Sequence, residues 1–134
     1  MAVRFSAGMQ AHIDAQAPSS MYRPSISQRL SYARWVRNAS AAGFPIAGPE
    51  MVIGVSDDRL LVWRTALVRA RPRRFAGSVA LTDIQSAGVH RRVFASVLTL
   101  LFPQGKIVGL ETLHSRRLRE FATAIPTYTD HRAR

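Results

Sequence analysis

The 134-residue sequence predicts an α+β domain that is mainly β, an antiparallel meander with one helix added ahead of it and one closing it. Three observations carry that expectation. The chain is 47% hydrophobic and 20% charged, enough apolar material for one core and too much for a disordered chain. Beyond residue 50 the apolar runs are strand-sized and separated by turn residues. On either side of that stretch, apolar residues recur at spacings of three and four, as one face of a helix requires. The length fits one domain with an added piece.

Taken in order, residues 1–24 are rich in Ala, Ser, Gln and Pro without periodicity and read as a mobile tail. Met9 and Met21 lie inside it as alternative starts. Residues 25–43 read as an amphipathic helix. Tyr32, Trp35, Val36 and Ala39 form its stripe, Ser25 is placed to cap it, and Gly43 and Pro45 stop it. Arg29, Arg34 and Arg37 fall away from the stripe. Packing of that stripe on the strands predicts a buried Trp35, whose removal would cost about 3–5 kcal/mol; its basic outer side also suits an anionic surface. Residues 44–50 read as a linker.

Strands are expected at 51–56, 59–65, 66–70, 78–81, 84–91, 97–102 and 106–111. The breaks fall at Asp57-Asp58, Pro72, Gly77, Asp83, the 92–96 tip and Gly105. Leu118, Phe121 and Ile125 signal a final helix over 115–125, capped by Ser115 and ended by Pro126, with its stripe turned onto the sheet. Residues 127–134 read as a basic tail.

Nineteen basic against eight acidic residues give a net charge of +11. Lys106 is the single lysine, so the arginine excess reads first as compositional bias. The field still raises affinity for anionic lipid, nucleic acid or acidic protein. Cysteine is absent, which removes disulfides, thiolate nucleophiles and cysteine metal sites. The first ten residues hold no apolar run of signal-peptide length, and the 96–102 run is too short to span a bilayer. A cytoplasmic protein is expected, with any peripheral contact at the inner membrane face.

Val55-Ser56-Asp57-Asp58-Arg59-Leu60-Leu61-Val62-Trp63-Arg64 and Val79-Ala80-Leu81-Thr82-Asp83-Ile84-Gln85-Ser86-Ala87 are similar to the "V-T-D-x-R-L-L" hairpin and "V-P-L-x-x-I-x-S-V" strand pair of the pleckstrin-homology-like family. Leu98 to Phe102, the Gln104-Gly105-Lys106 turn, and Leu118 with Phe121 extend the pattern. The chain resembles that family over residues 51–126, more closely its bacterial and GRAM-type members. The resemblance implies an antiparallel sandwich or partly open barrel with a C-terminal helix, and it implies no single ligand. Phosphoinositide-binding members place basic residues on the first hairpin. Here that turn is Ser56-Asp57-Asp58, whose carboxylates would repel a phosphate, so no binding residues are carried over.

Two basic segments are candidates for partner binding. Arg69, Arg71, Arg73 and Arg74 crowd around Pro72, with Arg64 extending the patch; their guanidinium forks suit phosphate or carboxylate, and the plainer account is a solvated loop. Arg91 and Arg92 precede Phe94 at a hairpin tip, a pattern that suits membrane or partner contact if the ring is exposed and core packing if it folds back. His12, His90, His114 and His131 lack metal-ligand or acid-base spacing, and no phosphate-cradling glycine loop occurs.

The sequence therefore predicts a non-enzymatic binding or scaffold module without cofactor or metal. Its expected partner is another protein, alternatively an anionic membrane surface met through the basic loops. Weak non-specific nucleic-acid binding ranks third, because a pI near 11.7 comes with no recognition helix or aromatic reader.

Overall fold

The computed structural model describes residues 11–16, 25–65, 72–92, 95–113, 115–126 and 128–131. The expected strand at 66–70 and Phe94 lie outside them. The described elements are β1 (Ala11–Gln16), α1 (Ser25–Ala41), β2 (Glu50–Val55), β3 (Arg59–Thr65), β4 (Pro72–Ala80), β5 (Ser86–Arg91), β6 (Ser96–Leu101), β7 (Ile107–Thr112), α2 (Ser115–Ala122) and β8 (Tyr128–His131). The fold is mainly β, as expected. The strands form one open sheet in the order β4-β3-β2-β1-β7-β6-β5-β8. Seven run antiparallel to their neighbours, and β8 joins β5 in parallel.

Residues 11–16 are the first correction to the sequence reading. They form a strand inside the sheet, paired with β2 at every position from Ala11↔Val55 to Gln16↔Glu50. Ile13 and Ala15 are buried, while His12 is exposed and Asp14 half-buried. The alternation is real but only six residues long, which is why the tail reading missed it. It follows that α1 does not precede the sheet. It is inserted between two strands that pair with each other.

Helix α1 ends as the sequence predicts. Gly43 adopts φ +80°, its N–H donates to the Ser40 carbonyl at 3.0 Å, and the Phe44 N–H donates to Ala39 at 2.9 Å. These two bonds are the Schellman pattern, with Phe44 and Ala39 both buried beside it. Trp35 is buried as expected (7% exposed). It stacks on Tyr32 at 6.0 Å and meets Phe44 edge-on at 6.3 Å. Its indole N–H also donates to the Gly109 carbonyl of β7 at 2.7 Å. Among the described residues β1 and β7 share a single register pair, Gln16↔Glu111, and Trp35 reaches the Gly109 carbonyl two residues away from it along β7.

β3 spans Arg59 to Thr65, as the sequence predicts. β4 is a second correction: Pro72 and Gly77, read as breaks, both lie within it. Proline is tolerated as the first residue of an edge strand. Gly77, at φ +153°, sits beside a register shift opposite Val62 and Trp63. A Cβ there would stand 3.0 Å from Pro45 Cγ, so Pro45 would have to give by a few tenths of an ångström, and the positive φ itself favours glycine. A 3-10 turn, Leu81–Asp83, delays β5 to Ser86.

One continuous core takes Ile13, Ile53, Val62, Val79, Val89, Leu100 and Leu110 from the sheet. It also holds Trp35 and Ala39 from α1, and Leu118, Phe121, Ala122 and Ile125 at and just beyond α2. Val52, Leu61 and Trp63 form a second buried cluster. By strand alternation this cluster lies on the opposite face of β2 and β3, which explains why both strands read as nearly unbroken apolar runs. The last correction is β8, a strand where a basic tail was expected; its residues pair from Ala87↔Tyr128 to His90↔His131.

Candidate functional site

The β2–β3 hairpin turns on Ser56, whose hydroxyl donates to the Arg59 carbonyl at 3.1 Å and accepts from the Arg59 N–H at 3.2 Å. Asp57 and Asp58 are exposed there. Arg59 Nε donates to Ser78 Oγ of β4 at 2.7 Å, holding that guanidinium along the pair. Five residues further, about 17 Å along the strand, the charge reverses. Arg64 of β3 stands in register with Arg74 of β4, and both are exposed. The carboxylates and the paired arginines thus occupy opposite ends of β3.

The preceding register pair is aromatic. Trp63 opposes Phe75, with ring centroids 5.8 Å apart at 64°, an edge-to-face contact. Trp63 is 2% exposed and Phe75 51%. Side chains alternate along a strand, so the two arginines point to one face of the β3–β4 pair and the two rings to the other. The Tyr32 hydroxyl is held above its ordinary pKa by burial, and the Arg64 charge opposes that shift. The arginine face therefore borders α1.

Of the residues singled out from the sequence, Arg64 and Arg74 are brought together here. Arg73 is placed in β4, and Arg69 and Arg71 lie outside the described residues. Arg91 and Arg92 are exposed at the end of β5, where the Arg92 N–H donates to the Ala95 carbonyl at 2.8 Å to close the tip. In the strand order, β5 is separated from β3 by β2, β1, β7 and β6, so the two basic segments sit on distant strands.

Sequence reasoning missed Phe75. Reading Pro72 and Gly77 as breaks put it in a loop, although an aromatic directly after Arg73-Arg74 repeats the pattern noted at Arg91, Arg92 and Phe94. It also missed Glu111, a carboxylate only 8% exposed that accepts from Gln16 Nε2 at 2.9 Å and ties β1 to β7 at the one register pair they share among the described residues. His12 and His90 are exposed on strands, and His131 lies in β8 rather than in a tail. Among the described residues, no group of three or more His, Asp or Glu is placed to hold a metal. A hollow of about 280 Å³ is lined by Asn38, Ala41, Gly105, Lys106 and Ile107. It presents one cation and no carboxylate or imidazole. No helix among the described residues is long and apolar enough to cross a membrane.

No protein-family model matches the chain, and neither does any curated protein.

Proposed function

We propose that this chain is a non-enzymatic, pleckstrin-homology-like binding module, without cofactor, whose partner is another protein. The strand order supports the family reading: β1 to β7 follow a meander in which first and last strands meet, and α2 buries Leu118 and Phe121 against it. One observation carries the function. At the β4 end of the sheet, an exposed aromatic ring and two exposed arginines lie on adjacent register pairs. Exposed aromatic and arginine side chains are the types enriched where proteins meet. The workplace of such a module is the cytoplasm or the inner membrane face.

The alternative, peripheral binding to an anionic membrane, draws on the same edge, whose cations on one face and exposed ring on the other also suit a lipid surface. Salt separates the two. Lipid attraction is chiefly screened Coulomb energy, whereas protein docking keeps its apolar part. Cosedimentation with neutral and anionic vesicles, at low and high salt and with duplex DNA as competitor, is the test. Retention that is weak, lost at high salt and displaced by DNA is expected. Retention that needs anionic lipid and resists DNA overturns the protein reading in favour of the membrane. Nucleic-acid binding ranks third and should track the net charge of +11 alone.

A further inference from the structure

We propose that the protein partner docks as an extended acidic segment, its carboxylates alternating with apolar side chains, adding a ninth strand to the β4 edge; this rests on the binding-module reading above. β4 terminates the strand order, and none of the described strands pairs with its outer side. At nine residues it offers about 30 Å of edge. Backbone hydrogen bonds along such an edge supply affinity, and alternate side chains supply specificity.

The charge at this edge selects the occupant. Like charges directly opposite on neighbouring strands destabilise a sheet, yet Arg64 and Arg74 stand opposite each other. Neither pairs with a carboxylate among the described residues. A carboxylate on an added strand would reach Arg74 and relieve that repulsion through a charge-assisted, bidentate contact. The same arrangement disfavours a second copy of this chain, because pairing two β4 edges brings arginine towards arginine. Edge strands are often guarded by proline, bulges and charge, and β4 carries all three in Pro72, its two register shifts and Arg74. A guarded edge has no use for an exposed ring in its middle, and Phe75 is half exposed. Arg74 and Phe75 point to opposite faces, so the added strand meets cations on one side and the Phe75–Trp63 pair on the other. That sets the alternation of acidic and apolar residues.

The test titrates a short peptide alternating glutamate and valine into the isotope-labelled full chain. A block isomer of the same composition runs beside it, and amide exchange is followed by NMR. The alternating peptide is expected to bind at least about tenfold more tightly than the block isomer, and to slow exchange of β4 amides by about tenfold. Arg74→Glu should weaken it by about tenfold or more, the worth of one charge-assisted contact. Phe75→Ser should weaken it less. Both positions are exposed, so unchanged melting confirms that the variants fold. Equal binding of the two peptides, or binding that leaves β4 exchange unaltered, overturns strand addition while the binding module stands. Failure of both peptides also overturns it, and retention on anionic vesicles in that case overturns the protein reading as well.

Discussion

The two ends of the sheet face the same problem and meet it differently. At the β5 end the edge is covered by the chain itself: β8 pairs with four consecutive residues of β5, and Leu118, Phe121, Ala122 and Ile125 are packed into the core beside it. At the β4 end no described strand follows. That edge is bent by register shifts, carries Arg74 and shows Phe75 to solvent. An uncovered edge is a template for pairing, and β4 offers nine residues of it where β8, the terminal strand at the other end, offers four. One end spends its aromatic side chain on stability, and the other leaves it available.

The contrast between Phe121 and Phe75 should give the largest effect. Phe121→Ala empties a fully buried site and is expected to cost about 3–5 kcal/mol, read from urea midpoints. Phe75→Ala, on a half-exposed ring, should cost less than about 1 kcal/mol. Similar losses at both positions would break the comparison, because the β4 end would then be core.

Trp35 ties α1 to β7, and Trp35→Phe keeps an aromatic ring, smaller than the indole, while removing the donor to Gly109. Leaving that carbonyl without its partner should cost about 1–3 kcal/mol. No loss would mean that water serves the carbonyl equally well and that this bond does not hold α1 on β7. Truncation after Pro126 acts on the covered edge directly. It removes β8 and the partly buried Tyr128 that packs on the core, and about 1–2 kcal/mol should go with them. The shortened chain should also self-associate in sedimentation velocity, since the six-residue β5 replaces the four-residue β8 as the terminal strand, without a cross-strand arginine pair to discourage pairing. If the truncated chain stays monomeric, β8 is not what protects that end.

How much of this was legible in the sequence depended on the length and purity of each signal. β3 was read to its ends because Leu60 to Trp63 is apolar on both faces and Asp57-Asp58 marks the turn. Trp35 was assigned to the core because its stripe repeats over two helical turns. β1 was lost because it buries only Ile13 and Ala15, and a six-residue alternation among small and polar neighbours does not stand out. β8 was lost because Tyr-Thr-Asp-His has no apolar run at all; it owes its place to a parallel partner far along the chain. At the candidate site, Arg64 and Arg74 were named as residues, but their opposition depends on two register shifts that no local pattern encodes. Phe75 was hidden by Pro72 and Gly77, whose roles at an edge and beneath Pro45 are tertiary.

The smallest effect reports on the bare edge from within. Burial raises the Tyr32 pKa above its ordinary 10.0, and Arg64 opposes the rise. The unfolded chain therefore ionises this phenol at a lower pH than the folded chain. The stability it contributes is complete below about pH 10 and is lost as pH climbs through the folded value, an effect that Tyr32→Phe should remove. Arg64→Ala deletes the charge that favours the phenolate, so ultraviolet titration should find the pKa higher still. Seating a peptide carboxylate on the Arg64 and Arg74 pair should move it the same way, whereas truncation after Pro126, at the other end of the strand order, should leave it alone. A Tyr32 pKa that ignored Arg64→Ala yet followed the truncation would reverse which end of the sheet this helix senses, and with it the argument that the cations at β4 lack an anion of their own.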